Sequence, residues 1–190
     1  MANKLIGVIV DGPGDFASVR GRFLGQCRIL KTDGPRGHTA KVAEIANQAF
    51  KQIKMLTDLQ CSSIVVVLDF EERTESYGAF VASIRRAFQS LDCDADVNIA
   101  VPNRMIENWY LADIEEISRK KAFIRKGLKQ KSYEGKNGKD EVKKCMARKM
   151  AYSETMHGPQ MFSVVRFDVA RTNSQSLAEF LDMMNMPAPS

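Results

Sequence analysis

Four runs of apolar, largely β-branched residues mark the first hundred positions: LIGVIV (5–10), CRILK (27–31), SIVVVLD (63–69) and VNIAV (97–101). The first closes on DGPGD and the second on TDGPRG, turn chemistry that predicts strand ends. The third is apolar almost throughout, the pattern of a central strand buried on both faces. Between these runs the period changes. Val42, Ile45, Ala46, Ala49, Phe50, Ile53 and Leu56 recur at three- and four-residue spacing and predict a long amphipathic helix starting near Thr39, a residue suited to an N-cap. Phe80, Val81, Ile84, Ala87, Phe88 and Leu91 predict a second. After the fourth run, Pro102 suits a helix start, with Met105, Ile106, Trp109 and Tyr110 on one side. The segment 120–150 breaks the alternation and reads as a basic loop followed by a helix from about Asp140. GPQMFSVVRFD (158–168) has strand-like β-branched content but a Gly-Pro start, and is read as helix. NSQSLAEFLDMM (173–184) is a final helix capped by Ser174 or Ser176.

Strands alternating with helices predict an α/β sandwich with a mostly parallel sheet. The 190 residues suit one structural domain: a core over 1–118, with a basic loop and C-terminal helices over 119–190 packing on it. Cys27, Cys61, Cys93 and Cys145 are widely spaced, with no CxxC pair, and are expected as reduced thiols. The opening MANKLIGVIVDGPGD lacks a small-residue cleavage site and reads as a first strand, so the expectation is a cytoplasmic protein without membrane contact. The net charge of +5 is modest but unevenly placed. Thirteen Lys or Arg fall between Arg119 and Lys149, against Glu134, Asp140 and Glu141, so the rest of the chain carries more acid than base. Such a segment can neutralise nucleic-acid phosphates, or can simply be a solvated loop. The candidate phosphate contacts within it are Lys120, Lys121, Arg125, Lys126, Lys129, Lys143 and Lys144. GPRGHTAK (34–41) adds Arg36 and Lys41 ahead of a helix N-terminus.

Parallel sheets place their working residues at the carboxyl ends of strands. Asp11 follows the first strand, Asp69 ends the third, and Glu71 lies two residues on, sharing a side with Asp69 if the chain stays extended. Carboxylates converging there would repel one another, and a divalent cation relieves that repulsion. Hard oxygen donors suit Mg²⁺ or Mn²⁺, one or two ions, which serve phosphoryl displacement. Taken singly, each is more simply a turn residue at a strand end. Glu107, early in the helix after the fourth strand, falls near the same edge and joins the candidate set, its alternative being an exposed helix acid. Trp109 reads as core, and Asp113 with Glu115 and Glu116 as a solvated helix end. DCDAD (92–96) lacks EF-hand spacing. GPRGHTAK lacks the Gly-Lys-Ser/Thr ending of a Walker loop, and no Gly-x-Ser-x-Gly elbow or Cys-His pair supports covalent hydrolysis.

An acid and Gly after strand one, then acid-x-acid after a hydrophobic strand, resembles the Toprim (topoisomerase–primase) pattern. Within it the chain is similar to small bacterial RloB-related and abortive-infection families of unknown function. VDGPGDF supplies Asp11, Gly12 and Asp15; Asp69-Phe70-Glu71 supplies the acid pair; RMIENWYLAD supplies Glu107, Trp109 and Asp113; and YSETMHGPQ with NSQSLAEFLDMM resembles the family's tail. Two positions depart from the usual Toprim form, Asp11 standing for Glu and Glu71 for the second Asp. The resemblance implies a Toprim-like (Rossmann-like) three-layer sandwich and a metal-dependent nuclease acting on DNA or RNA. Asp11, Asp69 and Glu71 would hold the ion, with Glu107 catalytic and Asp15 as an outer candidate. It further implies anti-phage defence beside an ABC- or SMC-type ATPase. The alternative is a Toprim-like module without turnover that binds nucleic acid or an ATPase, and a third reading is small-molecule phosphotransfer. A homo-oligomer is compatible with the sequence.

Overall fold

The predicted strands form one sheet in a computed structural model that describes residues 5–34 and 37–186. Strands β1 (Leu5–Val10), β2 (Arg28–Lys31), β3 (Cys61–Val67) and β4 (Asp96–Ala100) are all parallel, in the order β2-β1-β3-β4. Residues of β3 alternate between the two faces. Val65 and Val67 join one buried cluster, Ile64 and Val66 the other, so both faces must be covered and the strand reads as a continuous apolar run.

Winding direction decides which helix covers which face. The chain steps outward from β1 to β2, then reverses across β1 to β3 and β4. Right-handed connections place the helices of the two directions on opposite faces. Accordingly α1 (Pro13–Phe23) lies on one face through Val19 and Phe23, while α2 (Val42–Asp58) and α3 (Tyr77–Gln89) lie on the other through Ile53, Leu56, Phe80 and Ile84. The remaining helices cover the α1 face: α4 (Glu107–Leu111), α5 (Ile114–Lys120), α6 (Gly138–Cys145), α7 (Glu154–Phe162), α8 (Phe167–Asn173) and α9 (Gln175–Met183). Trp109, fully buried, stacks on Phe180 at 4.7 Å and donates its indole N–H to Ser176 Oγ at 2.9 Å, so it is core as read. Ser174 caps α9 by accepting from the Leu177 amide.

Several boundaries differ from expectation. DGPGD is not only a turn: Pro13 opens α1, with Gly12 at its N-cap. Helix α2 begins at Val42 and no side chain caps it, so Thr39 does not start it. Pro102 precedes α4 by several residues of turn. Residues 158–168 are split between α7, which contains Pro159, and the start of α8. The segment 121–137 is irregular but tied down. Ile124 bridges Met146, Tyr133 is buried, and the Asn108 side-chain amide donates to the carbonyls of Asn103, Tyr133 and Lys136. No helix among the described residues is long and apolar enough to cross a membrane. All four cysteines are free thiols.

Candidate metal centre

In the order β2-β1-β3-β4 the connections run opposite ways from the β1/β3 pair, and the carboxyl ends of those two strands open into the switch-point crevice. Val10 pairs with Val67 at the last rung, so Asp11 and Asp69 leave the sheet side by side. The Asp69 carboxylate is aimed by the Ile106 amide, which donates to Oδ1 at 3.0 Å. Glu71 reaches the same crevice by another route than expected. Its φ of 54° breaks the extended chain, so the two-residue period does not apply, and its amide donates to Arg104 O at 2.7 Å. Asp15 arrives from the first turn of α1. At the N-cap, a side chain on Gly12 would meet Asp15 Oδ2 at 2.7 Å, so only glycine lets the carboxyl fold back over the strand end.

Asp11, Asp15, Asp69 and Glu71 thus line one cavity of about 170 Å³, together with Gly12, Pro13, Lys139 and Glu154. That volume holds an ion with several waters, at roughly 30 Å³ per water. Glu107 lies just behind, 2% exposed and not the surface acid that a helix position allows. Its Oε1 accepts from Tyr152 OH at 3.0 Å, while the buried Oε2 has no hydrogen-bond partner.

The electrostatics follow from crowding. Asp69 and Asp15 are partly open to the cavity yet deeply set among protein atoms, and burial is the first cause that raises both well above the carboxylate range. The charges of Asp15, Asp11, Glu107 and Glu71 add to the rise at Asp69. At Asp15 the next causes are the charge of Asp11 and a side-chain hydrogen bond with it, a contact two carboxyls make only when one holds a proton. Burial, then Asp15, pushes Glu107 up to about 7, against the opposing pull of Lys139.

Lys139 and Glu154 escaped the sequence reading. Lys139 stands in the first turn of α6, whose N-cap Asn137 accepts from the Asp140 amide. A side chain on Gly138 would clash with Asn108 Oδ1 and meet Glu107 Cβ at 2.7 Å, so its absence seats α6 directly on α4. The Lys139 ammonium then reaches Glu154 Oε1, on α7, at 2.8 Å. Burial opposes its charge, but the Glu154 hydrogen bond and the charges of Glu107, Glu154 and Asp69 raise its pKa nonetheless. The only hint in the sequence was the Asn-Gly-Lys at a helix start inside a lysine-rich stretch.

The donors fit Mg²⁺ or Mn²⁺ by chemistry: they are hard carboxylate oxygens, mutually repelling, with one buried oxygen orphaned. Among the described residues, however, no three His, Cys, Asp or Glu side chains stand grouped as a set able to hold an ion.

The basic candidates are mostly engaged. Lys120 pairs with Glu116 at 3.0 Å, Lys143 with Asp140 at 2.9 Å, Lys144 with Glu141 at 2.6 Å and Lys129 loosely with Glu115 at 3.9 Å. Arg125 donates to Lys144 O and Lys126 to Arg119 O. Lys121 is half-buried; Lys41 is exposed and 3.8 Å from Glu44; Arg36 lies outside the described residues. Arg125, Lys129, Lys131 and Lys144 still line one groove of about 380 Å³, against a single acid, Glu141. Asp113 and Glu116 overturn the expectation of a solvated helix end: they are 0% and 3% exposed. Asp113 accepts three bonds from Arg166, and Glu116 accepts from Arg119 and Lys120. Comparison with known proteins finds no matching family model, no matching curated protein and no matching solved structure.

Proposed function

We propose that the chain hydrolyses phosphodiester bonds of DNA or RNA at the β1/β3 crevice, with Mg²⁺ or Mn²⁺ as cofactor, as a Toprim-like nuclease. The observation that carries this is the convergence of Asp11, Asp15, Asp69 and Glu71 at one sheet edge, with Glu107 behind them. Asp11, Asp69 and Glu71 would hold the cation and Asp15 would flank it. A bound ion would supply Lewis acidity at a phosphoryl oxygen and charge neutralisation in the transition state. Glu107, with a pKa of about 7 and a tyrosine hydroxyl orienting one oxygen, is suited to carry a proton near neutrality. The groove of Arg125, Lys129, Lys131 and Lys144 would hold the polymer backbone. Following the resemblance, the activity would serve anti-phage defence beside an ABC- or SMC-type ATPase.

A second reading, a module that binds nucleic acid or an ATPase without turnover, is favoured by one observation: among the described residues no three acids stand grouped to hold an ion. One experiment separates the two. Plasmid, single-stranded DNA and RNA are incubated with the protein in Mg²⁺, Mn²⁺ or chelator, alongside Asp69→Ala. Metal-dependent cutting that Asp69→Ala abolishes is the expected result. Binding without cutting in either metal gives the module instead.

A further inference from the structure

Lys139 differs from its neighbours on the same helix. Lys143 and Lys144 turn back to Asp140 and Glu141 within α6, both on the exposed side. Lys139 crosses to another helix, is about half-buried, and lines the acid cavity. Its charge acts on Glu107, Glu154, Asp69 and Asp15, the acids that crowd the crevice. The backbone that places it is fixed by the Asn137 cap and by the contact of Gly138 with α4. Only the flexible four-carbon stem is left to move, carrying a compact, strongly hydrated charge.

Resting on the nuclease reading above, we propose that the Lys139 ammonium is a resident cation of the acid pocket that a divalent ion must displace. Once displaced, it is the group that meets a phosphate of the nucleic acid. The same few carboxylates cannot fully satisfy an ammonium and a divalent ion at once, because the two positive charges repel across a short distance. Glu154 is the holding point: the 2.8 Å contact keeps the ammonium at the acid cavity that both residues line, with the lysine side chain 35% exposed. By linkage, a phosphate that draws Lys139 away strengthens ion binding, and a bound ion frees Lys139 for phosphate. The pocket would then load its cation most readily when substrate is present, which limits idle metal chemistry.

The test is calorimetric titration of the whole protein with Mn²⁺ alone, on wild type, Lys139→Met, Lys139→Arg, Glu154→Gln and the Lys139→Met/Glu154→Gln pair. Lys139→Met is expected to bind Mn²⁺ about tenfold more tightly or better, and Lys139→Arg to stay within about twofold of wild type, since only the former removes the like charge. Glu154→Gln is expected to weaken Mn²⁺ binding more in the wild-type background than beside Lys139→Met, a coupling that the double-mutant cycle isolates. In parallel, fluorescence anisotropy with a labelled single-stranded oligonucleotide in Mn²⁺ should show affinity falling about tenfold in Lys139→Met and recovering in Lys139→Arg. A merely structural lysine would not tighten one ligand while loosening the other. If Lys139→Met does not fold, Lys139→Gln, which keeps a hydrogen-bonding reach to Glu154, carries the same expectations. Mn²⁺ affinity that is unchanged or weaker without the ammonium overturns this proposal and leaves the nuclease reading intact. Absence of Mn²⁺ binding in wild type and Lys139→Met alike removes both.

Discussion

The molecule buries two groups of acids and treats them in opposite ways. At the start of α5, Asp113 at the N-cap and Glu116 in the first turn are met by guanidinium groups: Arg166 reaches Asp113 with Nε at 2.9 Å and Nη2 at 2.8 Å, and Arg119 reaches Glu116 at 2.9 and 2.6 Å. Those hydrogen bonds, Arg119 first, hold Glu116 down at about 2. At the β1/β3 edge the neighbours of Asp69 are other carboxylates, and burial with their charges drives it the other way. The first group is neutralised within the chain and ties α5 to the segment before α8. In the second group the repulsion is offset only in part, by the charge of Lys139, and crowded acids of this kind cluster at functional sites. Buried acid alone therefore does not mark a site; acids crowded against one another, with a single lysine acting on several of them, do.

Substitution separates the two groups most sharply. Asp69→Asn is expected to lower metal-dependent cleavage by 10²–10³-fold or more, on the order of losing one key electrostatic group at a reaction centre. It should leave the metal-free fold intact or raise its stability by about 1 kcal/mol, because it removes repulsion while keeping the acceptor for the Ile106 amide. Asp113→Ala should do the reverse, costing about 2–4 kcal/mol, the lower end reflecting Arg166's 45% side-chain exposure. Cleavage per folded molecule should persist. Chemical denaturation and initial-rate assays on the same preparations check both. Equal loss of activity in the two would erase the distinction.

The ion should next appear as stability. With Mn²⁺ at 100 times its Kd, wild type should gain about 2.7 kcal/mol. Asp69→Asn should gain little, and Asp113→Ala as much as wild type. Melting curves at fixed protein concentration read this directly.

Proton linkage gives a smaller effect, with opposite signs in the two regions. Glu107 titrates near 7 when folded, above its ordinary 4.5, so its contribution is fully present below about pH 4.5 and is lost as pH rises through 7. Asp15 and Asp69 shift in the same direction. Glu116 is depressed to about 2, so its contribution is present above 4.5 and is lost as pH falls through 2. Metal-free protein should therefore lose stability on both sides of a mildly acidic optimum. Glu107→Gln should flatten the limb toward neutrality and Glu116→Gln the acid limb. A single variant that flattened both would show that the two groups are not independent.

The parts of this arrangement that the sequence disclosed are those governed by local pattern. Ile64 to Val67 read as a buried strand because a parallel strand covered on both faces has no polar side to show. Asp11 and Asp69 followed from strand ends alone. Helix α1 did not, because PGDFASVRGRF carries two glycines and a proline and shows only a weak apolar stripe. Asp113 looked solvated because its partner, Arg166, is 53 residues away. Lys139 is one of thirteen similar cations, and what distinguishes it is a contact to another helix that no local period encodes. Glu71 reached the site for a reason unlike the one that nominated it, a left-handed residue in place of an extended step.

The central claim is that the crevice acids gather around a divalent cation. Crystals grown without metal and soaked in Mn²⁺ test it most directly, through anomalous scattering. The account predicts a peak among the carboxylates of Asp11, Asp69 and Glu71, absent in Asp69→Asn, with the Lys139 ammonium moved off the acids. A crevice with no anomalous peak, its acids still protonated against one another and Lys139 still seated on Glu154, would contradict it.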